Sequence, residues 1–352
     1  MSRPFAIIVA DSHYDKNNVS EVSAVMDQAI DLAIERKINT IFHIGDVFTD
    51  RTGQGLMVLL AFSRWLQKCS ANGIKVHAIP GNHDKTNQES EESYLDIYEG
   101  KYGFKLHRTG KYIFHSPDVL CCFLPYFPEG GSYLSRLEEL WSKVVKVDGQ
   151  KAQNRFLFTH IAIDGVKNND GSLVTNNLKP KLFSKFTKVF VGHYHNRSNI
   201  GRIHYIGSIR PKDFGEDNRK GFTVLNKDGS HEHVEAKFRK FIKVKVDLTE
   251  EEIDFDGLLS QYNTDEDNIR VVITGTEDQL ALVPSKTFSD VGIDLKKESV
   301  KALKNMEAAV GSDFVRFDKA TITKAFVKFC KSNDMPKEQI AVGLKYIRKI
   351  NV

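Results

Sequence analysis

No stretch of this chain reaches eighteen consecutive apolar residues, about the least a helix needs to cross a bilayer, so no membrane span is expected. The first ten residues hold only a six-residue apolar run, Phe5 to Ala10, without a cleavage-type site, so export is not expected either. Cysteine is scarce: Cys69, Cys121, Cys122 and Cys330 show no CxxC spacing, and the adjacent pair sits in an apolar run. They read as reduced, buried thiols of a cytoplasmic protein. Internal repeats and low-complexity tracts are absent. Net charge is only +4, and the excess of base lies toward the end of the chain. Residues 301–352 carry eleven Lys and Arg against five Asp and Glu, which leaves 39 against 41 for the remainder. Charge alone therefore does not suggest a nucleic-acid partner for the main body of the chain.

What the chain does have is histidine set beside oxygen donors at five places. These are Asp11-Ser12-His13, Gly45-Asp46-Val47-Phe48-Thr49-Asp50, Gly81-Asn82-His83-Asp84, Thr159-His160 and Gly192-His193-Tyr194-His195. Four follow at once on the apolar runs Phe5 to Ala10, Thr40 to Ile44, Val76 to Ile79 and Val189 to Val191; Thr159-His160 closes the run Arg155 to Phe158. Short runs rich in β-branched and aromatic residues read as buried strands. Ligands in open sheets collect beyond the carboxyl ends of strands, so the five segments are expected to converge on one sheet edge. Their nitrogen and oxygen donors suit a borderline divalent metal.

Two divalent ions a few ångströms apart can clamp the attacking and leaving oxygens of a phosphoryl displacement. Such a site needs a carboxylate that bridges both ions and neutral imidazoles that complete each shell without excess charge. Asp46, beside Gly45 at a strand end, is the natural bridge. Asp11 and His13 are alternate residues leaving a strand and can reach one ion from the same face. His193 and His195 share that spacing, Asn82 offers a neutral oxygen and His160 a further nitrogen. Singly, each segment is ordinary turn chemistry, because Gly, Asn and Asp favour turns. Together they would require five coincidences at five strand ends.

The ordered set DxH, GDxxxD, GNHD, a lone His and then GHxH resembles the calcineurin-like metallophosphoesterases. Within that superfamily the chain resembles the SbcD-type nucleases, including the bacteriophage recombination endonuclease subunits. The motifs cover about residues 5–225, and His204-Tyr205-Ile206-Gly207-Ser208 and Lys220-Gly221-Phe222 are similar to the segment that follows the last ligands. The resemblance implies a metal-dependent DNA nuclease, a double-strand 3′-to-5′ exonuclease and single-strand endonuclease, located in the cytoplasm, or that of a host if phage-encoded. It implies one ion held by Asp11, His13, Asp46 and His195, and another held by Asp46, Asn82, His160 and His193. Mn2+ is the preferred ion, with Mg2+ possible. His83 matches the catalytic histidine that assists the departing oxygen. Many relatives place a histidine three residues after the bridging Asp; here that residue is Thr49. Asp84 and Asp50 are expected to support the ligands.

The expected fold is α/β: a two-sheet β-sandwich flanked by helices over residues 1–235, a small α+β capping and DNA-binding domain over 236–305, and a C-terminal helical hairpin over 306–352. The second region is expected to contain strands at Phe241 to Val246 and Ile269 to Ile273 and an acidic helix start at Thr249 to Glu252. His43, His77, His231 and His233 read as satisfied sheet or surface residues. Lys16, Arg51, Lys85, Arg210, Lys212 and Arg219, with Lys220, are candidate contacts to DNA phosphates, which carry no sequence information. The helix Leu56 to Leu66 is apolar nearly all round, which suggests either burial or a homodimer interface. In the tail, Ile322, Ala325, Phe326, Phe329 and Cys330 share one helical face; Asp334 and Pro336 start a second helix, whose face is Ile340, Ala341, Leu344 and Ile347, with Lys345, Arg348 and Lys349 near its end. The resemblance names the partner of this hairpin as the coiled coil of an SbcC-type ABC ATPase. Two other functions fit the same motifs: a phosphoesterase of small substrates, such as a cyclic nucleotide phosphodiesterase or phosphatase, and a non-catalytic DNA-end-binding scaffold.

Overall fold

The computed structural model describes residues 3–168, 171–250, 253–300, 319–332, 335 and 337–347. The chain divides into two compact units, Met1–Phe241 and Ile242–Val352. The larger contains, in order, β1 (Pro4–Val9), α1 (Val19–Glu35), β2 (Thr40–Ile44), α2 (Leu56–Ala71), β3 (Lys75–Ile79), β4 (Phe104–Leu106), β5 (Lys111–Ser116), β6 (Val119–Leu124), α3 (Tyr133–Lys146), β7 (Asn154–His160), β8 (Lys188–Gly192), β9 (Ser198–Ile200), β10 (Ile203–Tyr205), β11 (Gly221–Asn226) and β12 (His231–Glu235). One sheet runs β12-β11-β1-β2-β3-β4 and the other β5-β6-β7-β8-β10-β9. Strands β1 to β4 are mutually parallel, as are β6, β7, β8 and β10; the antiparallel partners lie toward the edges.

The strands read as unbroken apolar runs because both of their faces are covered. Along β1, Ile7 and Val9 face a core with α1 and α2, while Ala6 and Ile8 face the opposite sheet. The inter-sheet layer is largely aromatic: Phe158 lies 4.7 Å from Phe42, 5.1 Å from Phe123 and 5.6 Å from Phe190, between ring centroids. Helix α3 closes the outer face of the second sheet through Leu137, Leu140 and Val144. In α2, Phe62, Trp65 and Leu66 are buried, and the Trp65 indole N–H donates to the Met26 carbonyl at 2.9 Å. Leu56, Met57 and Leu60 of the same helix remain exposed.

The smaller unit contains β13 (Phe241–Asp247), α4 (Phe255–Leu259), β14 (Asn268–Gly275), α5 (Glu277–Leu282), α6 (Ser285–Asp290), β15 (Asp294–Ser299), α7 (Lys319–Ser332) and α8 (Lys337–Ile347). Its sheet, β13-β14-β15, covers a core that includes Val246, Val271, Ile273 and Phe288. The acidic helix start expected at Thr249 is instead a turn. The Asp247 carboxylate accepts from the Thr249 amide and hydroxyl at 2.9 and 2.7 Å, and the helix begins at Phe255. Glu251 and Glu252 lie outside the described residues, as do Asp334, Pro336, Arg348 and Lys349.

Candidate metal centre

The carboxyl ends of β1, β2, β3, β7 and β8 meet, and each delivers donors. Asp11 and His13 follow β1, Asp46 follows β2, Asn82 and His83 follow β3, His160 ends β7, and His193 and His195 follow β8. Asp11, His13, Asp46 and His193 have left-handed backbone, with φ of 51°, 50°, 53° and 90°. Residues other than glycine seldom adopt it, and where they do the surroundings must enforce it. Here the loops lock one another. The Asp11 amide donates to the Gly45 carbonyl at 3.0 Å, and the His13 amide to the Asp46 carbonyl at 3.1 Å. The His193 amide reaches the Asp11 carboxylate at 3.1 Å, and the His83 amide reaches Asp46 Oδ1 at 2.8 Å. Buried Asp84 joins the second loop to the third by accepting from the Phe48 and Gly81 amides at 3.0 and 2.9 Å. Asp50 is exposed and caps only its own turn, through Thr52.

The side chains converge accordingly. His160 Nε2 lies 3.3 Å from Asp46 Oδ2 and 4.0 Å from Asp11 Oδ1. His13 Nε2 lies 3.7 Å from Asp46 Oδ2, 4.0 Å from Asp11 Oδ1 and 3.0 Å from His195 Nε2. Asn82 Oδ1 sits 3.2 Å from His160 Nε2 and 3.0 Å from His193 Nδ1. Two groups could each hold an ion, Asp11 with His13 and His195, and Asp11 with Asp46 and His160. Asp11 is common to both, although Asp46 was the expected bridge; Asp46 nonetheless lies beside both His13 and His160.

Electrostatics describe a site built for positive charge. Burial raises the Asp11 pKa to about 6, against the opposing pull of His160 and His195. Burial also opposes ionisation of Asp46, but His160, His13 and His83 outweigh it and hold its carboxyl well below the usual range. His160 is buried, yet Asp46 and Asp11 push it up to about 9. Burial lowers His13 well below the ordinary value and His193 to about 3. Against burial, Glu216 and Asp11 raise the His195 pKa. The two buried carboxyl groups therefore face two imidazoles kept neutral, His13 and His193, and two whose charged form is favoured, His160 and His195. His160 Nδ1–H donates to the Ile44 carbonyl at 2.9 Å, which turns Nε2 toward the carboxylates. His13 Nδ1 is buried without a hydrogen-bond partner. This mixed set of buried oxygen and nitrogen donors fits divalent metal.

His83 stands at the rim, half-buried, its ring edge-on to His13 at 5.1 Å. Its Nδ1–H donates to the Thr49 carbonyl at 2.6 Å, and its Nε2 accepts from the Arg51 guanidinium at 3.0 Å. The Thr49 hydroxyl donates to the His13 carbonyl at 2.9 Å. Thr49 thus ties His83 to the first loop without an imidazole.

The expected phosphate contacts divide. Lys16, Arg51, Lys212 and Arg219 are exposed. Lys85 is not: it is buried, donates to the Ser90 and Tyr126 carbonyls at 2.9 and 2.7 Å and lies against the Phe127 ring. Lys220 is likewise buried, and Arg210 is largely covered, pairing with Glu21 at 3.5 Å and donating to the Pro211 carbonyl. Of the other histidines, His43 bonds the Ser12 hydroxyl at 2.9 Å, and His77 bonds His107 at 3.1 Å. Two neighbours of the centre have no motif to announce them. Tyr126 stacks beside His193, 6.2 Å between centroids, and Glu216 accepts from His195 Nδ1 at 2.6 Å.

Two glycines make the interlock possible. Gly45 has φ of 98°, and a Cβ there would strike the His160 ring; a Cβ on Gly81 would strike the Asp46 carboxylate and amide. Gly81→Ala is expected to displace Asp46 and weaken divalent-metal binding by about tenfold or more, on the scale of perturbing a ligand's support. Titration calorimetry checks this, and native affinity in the variant would contradict the packing described.

Comparison with known proteins identifies the family. The family model described as calcineurin-like phosphoesterase matches residues 6–197. The chain is 25% identical over 202 residues to the DNA double-strand break repair protein Mre11 of Thermoplasma acidophilum, covering 54% of this chain and 50% of that one. It is 25% identical over 268 residues to the Mre11 protein of Methanocaldococcus jannaschii, covering 68% of each. The matched region thus spans about half the length of the first relative and about two thirds of the second. Among solved structures, a dimetal phosphatase from Danio rerio is similar at 12% identity and a TM-score of 0.47, over 67% of this chain and 98% of that one. With the family model covering more than half of its length, the chain belongs to the calcineurin-like phosphoesterases.

Proposed function

We propose that this chain is a metal-dependent DNA nuclease of a repair or recombination complex, with double-strand 3′-to-5′ exonuclease and single-strand endonuclease action. The observation that supports the reading is the convergence of buried nitrogen and oxygen donors with His83 at their rim, in a chain whose curated relatives are named as double-strand break repair proteins. Asp11, His13, Asp46, Asn82, His160, His193 and His195 would hold two divalent ions, Mn2+ by preference. When bound, the ions supply Lewis-acid activation of the phosphodiester and the attacking water.

The protein's own part is positioning and proton transfer. With Nδ1–H committed to Thr49, His83 presents Nε2 outward beside Arg51. Burial lowers the His83 pKa. An arriving strand would draw the Arg51 guanidinium onto a neighbouring backbone phosphate, while the scissile phosphate brings negative charge against Nε2, which favours the imidazolium. His83 Nε2–H then gives its proton to the departing oxygen. Arg51, Lys16, Lys212 and Arg219 are exposed and would meet backbone phosphates. His83→Ala is expected to keep two Mn2+ per chain by elemental analysis while losing about 10²–10⁴-fold in cleavage rate. Loss of both ions would make His83 a ligand instead.

A phosphoesterase of small substrates is the second reading, favoured by the burial of Lys85, Arg210 and Lys220, which thins the basic rim. The two readings separate on Arg51→Ala. DNA cleavage should fall about ten- to a hundredfold, the range of one charge-assisted hydrogen bond, with hydrolysis of bis(p-nitrophenyl) phosphate changed far less. Equal losses on both substrates would favour the small ester.

Two partners complete the proposal. The exposed Leu56, Met57 and Leu60 of α2 form a homodimer interface, and α7 and α8, with Phe329 and Val342 exposed, dock on the coiled coil of an ABC ATPase in the helix-in-groove manner. Removing residues 310–352 should leave Mn2+-dependent cleavage and a sedimenting dimer but abolish co-purification with the ATPase. Undiminished co-purification, or a monomer in the intact chain, would refute the corresponding contact.

A further inference from the structure

An ion pair lies behind the metal centre, and its carboxylate, Glu216, belongs to none of the motifs. The Glu216 side chain is 4% exposed and that of Lys220 is 0% exposed. Burying two charges is unfavourable unless each is fully paired, and here the pairing converges on one residue, His195. Lys220 Nζ contacts Glu216 Oε2 at 2.9 Å and donates to the His195 carbonyl at 2.6 Å and to Asn196 Oδ1 at 2.9 Å. Glu216 Oε1 accepts from His195 Nδ1 at 2.6 Å. The Asp217 amide donates to Asn196 Oδ1 at 3.2 Å, so the two loops are joined on both sides of the carboxylate.

We propose that Glu216, itself held by Lys220, is a positioning residue for the metal centre: it fixes His195 as the Nδ1–H tautomer and aims its Nε2 at Asp11 and His13. The inference rests on reading His195 as a ligand. The ring has two nitrogens and a free rotation about Cβ–Cγ, so without a partner on Nδ1 either nitrogen, or neither, could face the centre. A carboxylate behind a ligating imidazole sets its orientation and raises its basicity. Lys220 makes this support rigid, since its three contacts leave it no other orientation. The support acts on one ion alone, because His195 groups with Asp11 and His13, whereas His160 belongs to the other group, with Asn82 beside it and His193 beside Asn82.

The test is Mn2+ titration calorimetry on the whole chain and two variants, with thermal melts of each metal-free protein. The unsubstituted chain should bind two ions. Glu216→Ala should weaken one of them about 10- to 100-fold and leave the other unchanged. Glu216→Gln keeps an oxygen able to accept from Nδ1 and should recover most of the lost affinity. Native affinity for both ions in Glu216→Ala would overturn the proposal. So would equal weakening of both ions in both variants with a lowered melting temperature, which marks a purely structural ion pair. An unsubstituted chain that binds no Mn2+ would overturn the metal reading itself, and this inference with it.

Discussion

The contact between Asp46 and His160 is the joint on which the larger unit turns. One residue leaves a strand of the first sheet and the other ends a strand of the second, and they meet at 3.3 Å where both sheets terminate. Neither carboxylate nor imidazole would be stable there alone. Burial opposes the charge on each, and their mutual attraction outweighs it. The aromatic layer between the sheets sets the spacing that brings them within reach, and the glycines at 45 and 81 let the loops close without a side chain in the way.

This constraint explains why the strain gathers where it does. Left-handed backbone at Asp11, His13, Asp46 and His193 turns each side chain inward directly after its strand ends. A longer, relaxed loop would also reach the centre, but with less fixed geometry. The reciprocal amide bonds among the loops hold these conformations, so the donors are organised by the fold before any ligand arrives. His83 differs from the rest: it is tethered by one carbonyl, half-buried and faces outward, as a group that must meet substrate requires.

Much of this was legible in the residues. Strands buried on both faces appear as unbroken apolar runs, and donors that follow a strand at once inherit its position. Both signals are local, so the α/β sandwich and the convergence of the five segments could be read directly. The surface was less legible. Lys85, Arg210 and Lys220 look like phosphate contacts because they are cations near the motifs, yet carbonyls and carboxylates distant in sequence claim them. Glu216 lacks a local signature, since its partner lies 21 residues away. At Thr49 the substitution of a side chain is visible, but the backbone carbonyl that bonds His83 in its place is not. At Thr249 the acidic-start reading missed a turn, in which Asp247 accepts from the Thr249 amide and hydroxyl.

Anomalous scattering at the manganese edge, from crystals of the full chain soaked in Mn2+, tests the central claim most directly. Two peaks are predicted, one among Asp11, His13 and His195 and the other among Asp46, Asn82, His160 and His193, with none on His83. A single peak, a peak elsewhere, or none would contradict a two-metal centre assembled from these five strand ends.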